Sequence, residues 1–138
     1  MEARDLRPFE REGQGPTVAL VNVGIEELMR RPVITVVRHT TAGHVRKLMA
    51  EQRISAVPVV DGDNHPVGIV TVSDLLDAPA DGAHVSEFMS KGVQTVPIYD
   101  GPHVAARIMR NHRIHHVVVT HEKKVVGMLS TFDLLQLR

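Results

Sequence analysis

The chain has 138 residues, 43% of them hydrophobic, enough for one compact domain or two small fused ones with a real core. Its 16 basic residues balance its 16 acidic ones, so no global charge draws it to nucleic acid or to an anionic membrane, and any anion site must be local. The absence of cysteine excludes disulfide scaffolds, cysteine zinc sites and thiol catalysis and suits a reducing compartment such as the cytoplasm, while 3% aromatic content argues against stacking platforms for single-stranded nucleic acid.

Residues 1–20 carry Arg4, Asp5, Arg7, Glu10, Arg11 and Glu12, then Gly13, Gly15 and Pro16, and read as a mobile or partner-dependent leader rather than a signal peptide. No later apolar run is long enough for a membrane span. A first unit, residues 21–78, is expected to hold a helical turn at Ile25 to Met29, a strand at Val33 to Val36, and a helix whose start is marked by Thr40 and whose buried face carries Val45, Leu48 and Met49. Strands at Ala56 to Val60 and Val67 to Val70 follow, separated by the turn-forming Asp61, Gly62, Asp63 and Asn64, and a closing helix begins near Ser73 and Asp74.

A second unit, residues 79–138, repeats this order with Val85 to Met89, Val93 to Val96, a helix opened by Asp100 and Pro102 with Ala105, Ile108 and Met109 on its buried face, strands His116 to Val119 and Val125 to Leu129, and a closing helix near Phe132 and Asp133. The repeat is visible residue by residue. Met29 aligns with Met89, Thr35 with Thr95, Met49 with Met109, Arg53 with Arg113, Ile54 with Ile114 and Val57 with Val117; after a one-residue loop deletion, Gly68 aligns with Gly127, Thr71 with Ser130 and Asp74 with Asp133. Neither copy, at roughly 55 residues, buries much alone, so the expected fold is α/β (α+β), two units packed about a pseudo-twofold axis.

The spacing Gly-x-x-Thr/Ser-x-x-Asp in both copies has a chemical reading. The glycine lets a strand end be approached closely, the hydroxyl and the amides of a helix start donate to phosphate, and the carboxylate accepts from both hydroxyls of a ribose. The competing reading is that Asp74 and Asp133 cap a helix, and the two can coexist.

Pro58-Val59-Val60-Asp61 with Val67-Gly68-Ile69-Val70-Thr71-Val72-Ser73-Asp74-Leu75-Leu76, and Val117-Val118-Val119 with Val126-Gly127-Met128-Leu129-Ser130-Thr131-Phe132-Asp133-Leu134-Leu135, resemble the core of a cystathionine-β-synthase (CBS) domain. The resemblance covers about residues 22–137 and, in tandem, implies a Bateman module, here acting alone or in trans because the chain leaves no room for a fused partner. It further implies two clefts that take AMP, ADP or ATP, less often NAD or S-adenosylmethionine, with no cofactor required, a homodimeric disc and an unknown protein target.

Under the same resemblance Asp74 and Asp133 serve ribose and Thr71 and Ser130 serve phosphate. Thr35 and Thr95 end the first strands beside the cleft, where the alternative is a residue chosen for strand propensity. Val57 and Val117 flank the base through main chain and apolar contact. The stretch Asn111-His112-Arg113-Ile114-His115-His116 resembles the basic segment that handles phosphates in the nucleotide-sensing subunit of AMP-activated kinase. The first copy has only Gln52-Arg53-Ile54-Ser55-Ala56, so the cleft lined by the second copy is expected to hold phosphate more strongly. Arg53 and Arg113 carry permanent charge; His112, His115 and His116 gain it only as pH falls toward about 6, or else form a solvated helix end and strand edge.

Nine histidines raise the question of a metal, but His112, His115 and His116 do not make the helical pair of a zinc protease and no glutamate follows in the needed pattern, so no metal site is expected. Nor is catalysis expected. There is no nucleophile elbow, Walker loop or dinucleotide-binding glycine triplet, and the two aspartates lie in different copies. The alternative to a nucleotide-sensing module is a structural dimerisation module with vestigial clefts, which Gly43 inside a helix and Val118 in place of the Pro58 equivalent would favour.

Overall fold

The computed structural model describes residues 23–77 and 79–137; the expected leader lies outside them. The first unit runs α1 (Ile25–Leu28), β1 (Val36–Val37), α2 (Ala42–Gln52), β2 (Ala56–Val60), β3 (Pro66–Thr71) and α3 (Val72–Leu76). A 3-10 turn, Val85–Glu87, stands in the second unit where α1 stands in the first, followed by β4 (Thr95–Pro97), α4 (Pro102–His112), β5 (His116–His121), β6 (Lys124–Ser130), α5 (Thr131–Leu134) and a final 3-10 turn, Leu135–Leu137. Each unit builds a three-stranded sheet, β1-β2-β3 or β4-β5-β6, in which the first pair is parallel and the second antiparallel. Even the bulges correspond, at Val59/Val60 and Val119/Thr120.

The central strands carry the cores. Every residue of β2 is buried, as are Val117, Val118, Val119 and Thr120 of β5. β-branched side chains suit a strand covered on both faces, and each fully buried valine is worth on the order of 1.5–3 kcal/mol. The first strands are shorter and later than Val33 to Val36 and Val93 to Val96. Val36 and Val37 pair with β2 and residues 95–97 with β5, whereas Val33 and Val93 pack into a layer between the two sheets with Ala56, Val60, Val118, Val125 and Met128.

The helix starts also shift by a residue. Thr41, not Thr40, caps α2, its Oγ1 accepting from the His44 amide at 3.3 Å, while Thr40 Oγ1 accepts from the Val37 amide at 3.1 Å and closes the preceding turn. Gly101 occupies the cap position of α4 with Pro102 in the first turn, where its missing N–H costs nothing.

The two copies exchange their opening segments. Ile25, Leu28 and Met29 pack with Val96, Met109, Val117 and Leu129 of the second unit, and Val85, Phe88 and Met89 pack with Val45, Met49, Val57 and Val70 of the first. Backbone bridges fix the exchange: the Arg30 amide donates to Met128 O at 2.8 Å, and Ile69 and Ser90 exchange two hydrogen bonds of 2.9 Å. The exchange explains the repeated glycines. A Cβ on Gly68 would meet Met89 Sδ at 2.5 Å, and one on Gly127 would collide with Met29 Sδ, so these glycines admit a methionine from the other copy rather than a ligand.

Gly43 has a structural reason as well. Its amide donates to Asp81 O at 3.0 Å, and a Cβ there would lie 3.2 Å from the Asp81 Cβ. The connection between the units thus lies on the start of α2, held further by Arg46, whose Nη1 pairs with Asp81 Oδ1 at 2.7 Å and whose Nη2 donates to Pro79 O at 2.9 Å. No helix among the described residues is long and apolar enough to cross a membrane.

Candidate functional site

Each closing helix begins in a capping box built from the Thr/Ser-x-x-Asp spacing. At α3 the Thr71 amide donates to Asp74 Oδ2 at 2.8 Å and the Thr71 hydroxyl donates to the same oxygen at 3.2 Å. At α5 the Ser130 amide donates to Asp133 Oδ2 at 2.7 Å and Ser130 Oγ accepts from the Asp133 amide at 3.2 Å. Capping and ligation therefore do not exclude each other: Oδ1 of either aspartate has no hydrogen bond among the described residues, and a carboxylate held by backbone at one oxygen points the other with little loss of rotamer freedom.

The approach to each central strand is tied to the same helix start. Ser55 O accepts from the Val72 amide at 3.0 Å, and His115 O accepts from the Thr131 amide at 2.9 Å. Arg53 and Arg113 stand at the ends of α2 and α4 with φ of 55°, a left-handed conformation that costs a non-glycine residue roughly 1–2 kcal/mol. It turns the chain sharply from helix to strand and leaves both guanidinium groups on exposed residues at the cleft mouths.

The larger cleft, about 370 Å³, is lined by Ser55, Ile69 and residues 71–74 of the first copy and by Ser90, residues 92–94 and residues 113–116 of the second. Asp74 thus faces Arg113, His115 and His116. Both clefts are composite: the first copy's helix start meets residues 113–116 of the second, and the exchanged segments bring residues 30–34 and 90–94 to the other copy's sheet.

The pseudo-symmetric cleft is split in two. One part, about 220 Å³, is lined by Arg30, Arg53, Ser130, Phe132 and Asp133 among others, and the other, about 20 Å³, by Arg30, Pro32, Val33, Ile34, Ala56 and Pro58 among others. Asp74 and Asp133 therefore occupy different clefts.

Ser55 and His116 line both the larger cleft and the Asp133 pocket and form the wall between them, with Ser55 Oγ 3.1 Å from His116 Nε2. Burial holds the His116 imidazole below its ordinary pKa, the neighbouring His115 acts in the same direction, and the Asp133 carboxylate opposes them. His115 Nδ1 lies 3.5 Å from Thr131 Oγ1.

Of the residues singled out in the sequence, Thr71, Asp74, Arg113, His115 and His116 come together in one cleft and Arg53, Ser130, Asp133 and again His116 in the other. Thr35, Thr95, Val57, Val117 and His112 line none of these cavities. Val57 and Val117 are fully buried in the two cores, and Thr95 pairs with Val118 at the start of β4. The lining residues Arg30, Ser90, Gly92, Val93 and Gln94 were not picked out from the sequence. The repeat already aligned Arg30 with Ser90, but only the exchange of segments shows that this position faces a cleft. No group of three or more histidine, aspartate or glutamate residues among the described residues is placed to hold a metal ion.

The CBS domain family matches residues 25–81 and 85–138, most of the chain in two copies. The chain belongs to the CBS domain family, and its fold is that of a tandem CBS pair. It is 29% identical to the CBS domain protein PAE2072 from Pyrobaculum aerophilum complexed with AMP, with a TM-score of 0.76 over 83% of this chain and 98% of that one. It is 25% identical to the CBS domain pair of protein MJ0100 in complex with 5-methylthioadenosine and S-adenosyl-L-methionine, with a TM-score of 0.76 over the same shares. An inosine-5'-monophosphate dehydrogenase of Korarchaeum cryptofilum is 33% identical over 109 residues, 78% of this chain and 23% of that enzyme. The chain spans between 22% and 40% of the length of the first curated relatives it matches.

Proposed function

We propose that this chain is a regulatory module that binds an adenosine-type ligand, AMP, ADP or ATP before NAD or S-adenosylmethionine, in the cleft between Asp74 and Arg113, and signals its occupancy in trans to a protein target. The observation that carries the reading is the composition of that cleft, whose volume of about 370 Å³ falls within the range of small-molecule sites. Ile69, Val93 and Ile114 give apolar walls for a base, Asp74 Oδ1 an acceptor for ribose hydroxyls, and Arg113 with His115 and His116 a cationic side for phosphate. The AMP complex of the Pyrobaculum protein supports the ligand class.

Asp133, Ser130 and Arg53 stand at the corresponding positions of the second cleft. Because the larger cleft is composite, a ligand touching Asp74 and Arg113 together favours one relative placement of the two copies, which is what a population shift requires. We assign no catalytic residue.

The two closing helices suggest how the state is read. Leu76 on α3 and Phe132 on α5 are 76% and 80% exposed, apolar side chains on the two closing helices of the pseudo-symmetric pair. We assign this face to the homodimer contact.

The decisive experiment is titration calorimetry of refolded, ligand-free protein with AMP, ATP, NAD and S-adenosylmethionine. Saturable binding that is lost in Asp74→Ala supports the reading. Silence with all four ligands would overturn it in favour of an interaction module, and sedimentation of Leu76→Ser with Phe132→Ser tests the dimer face independently, with a monomer expected.

A further inference from the structure

We propose that Arg30 is a specificity-determining residue that closes the second cleft to nucleosides, so that the module takes one adenosine-type ligand rather than two. The inference rests on the adenosine reading above. Arg30 and Ser90 occupy equivalent positions in the repeat. Each is bridged to the third strand of the opposite copy, Arg30 to Met128 and Ser90 to Ile69. Their side chains differ in length and charge.

The consequence is visible in the cavities. Where Ser90 stands, a single open cleft of about 370 Å³ reaches from Asp74 past Gly92 and Val93. Where Arg30 stands, the equivalent space is divided into pockets of about 220 and 20 Å³, with Arg30 in the lining of both. Small-molecule sites begin near about 300 Å³, a size the undivided cleft reaches and neither fragment does.

The Arg30 side chain also reaches the end of α2. From its backbone bridge at the Met128 wall, its Nη2 donates to Gln52 O at 3.4 Å, at the last residue of α2. That carbonyl lies at the negative end of the helix, where a guanidinium is favoured. A serine hydroxyl is too short to make the matching contact with the end of α4. Pro32 in place of Gly92 adds bulk on the same wall. The outer fragment beside Asp133, at about 220 Å³, is too small to seat a whole nucleoside.

The test is the stoichiometry of AMP binding by calorimetry at protein concentrations well above the dissociation constant. Wild type is expected to bind a single equivalent, Arg30→Ser two, and Arg30→Ser combined with Asp133→Ala one again. Ser90→Arg is expected to lose the wild-type equivalent while keeping its thermal midpoint within a few degrees. Two equivalents in wild type, or one in a folded Arg30→Ser, would overturn the role of Arg30 and leave the nucleotide reading standing. A wild type that binds no adenosine-type ligand would overturn that reading and this inference together.

Discussion

The two clefts are built from the same parts and differ in a handful of side chains. Both have a capping box that presents a carboxylate, a left-handed arginine at the mouth and a strand approach tied to the helix start. One has Ser90, Gly92 and His115 and is open; the other has Arg30, Pro32 and Ala56 and is divided, and Ser55 and His116 stand between them. The comparison teaches that a duplicated scaffold keeps its backbone constraints while its cleft walls diverge, since a cap or a glycine under a methionine is needed for folding in both copies and a wall residue is not.

The sharpest break in that comparison is a pair of carboxylate removals. Asp74→Ala is expected to weaken AMP binding by about 10- to 100-fold, the worth of roughly 1.5–3 kcal/mol for hydrogen bonds to a charged group. Asp133→Ala should leave that affinity within about twofold, because Asp133 lies in the other cleft. Calorimetry on both variants checks it; equal losses would mean that the clefts are not distinguished by their aspartates.

The glycines test what the copies share. Gly68→Ala and Gly127→Ala should each destabilise the fold by about 1–3 kcal/mol, read as a lower denaturant midpoint, because each new Cβ forces a methionine from the opposite copy out of place. A loss in one variant only would show that the exchange of segments is tight in a single direction.

The arginines should separate again. Arg113→Ala is expected to weaken AMP about tenfold but adenosine hardly at all, whereas Arg53→Ala should change neither by more than about twofold, since an exposed guanidinium acts on phosphate mainly through charge.

The smallest effect concerns pH. The folded-state pKa of His116 is lowered, chiefly by burial, so the unfolded chain binds the proton more readily. The neutral ring's contribution to stability is therefore fully present above its unfolded value of about 6.5 and is lost as pH falls through the lowered folded value. An anionic ligand beside the ring acts oppositely, favouring its protonation. AMP affinity should rise by a few-fold from pH 7.5 to 6.0 and the rise should be smaller in His116→Ala, as calorimetry at the two pH values would show.

The elements themselves were legible because their signals are local. Valine clusters mark β2 and β5, helical spacing of Val45 with Met49 and of Ala105 with Met109 marks the buried faces of α2 and α4, and Thr71-x-x-Asp74 marks a helix start. Where the reading slipped, a distant partner decided. Val33 and Val93 read as strand, yet they turn into the layer between the sheets, and Gly43 read as a defect in a helix although it seats the connection carrying Asp81. Gly68 and Gly127 read as points of close approach to a strand end, and the structure shows that Met89 and Met29 make that approach.

The sequence by itself determined the duplication, the element order, the CBS signature and the residue types at both helix starts, since each follows from spacing within a few residues or from the repeat. Only the tertiary structure decided that Asp74 faces Arg113 and His116 rather than Arg53, and that Arg30 divides one cleft where Ser90 leaves the other open. The physical reason is the exchange of opening segments. α1 is too short to bury its own apolar face, so Ile25, Leu28 and Met29 complete the core of the second copy, and the residues that follow them in the chain become walls of a cleft whose other side is encoded about a hundred residues away.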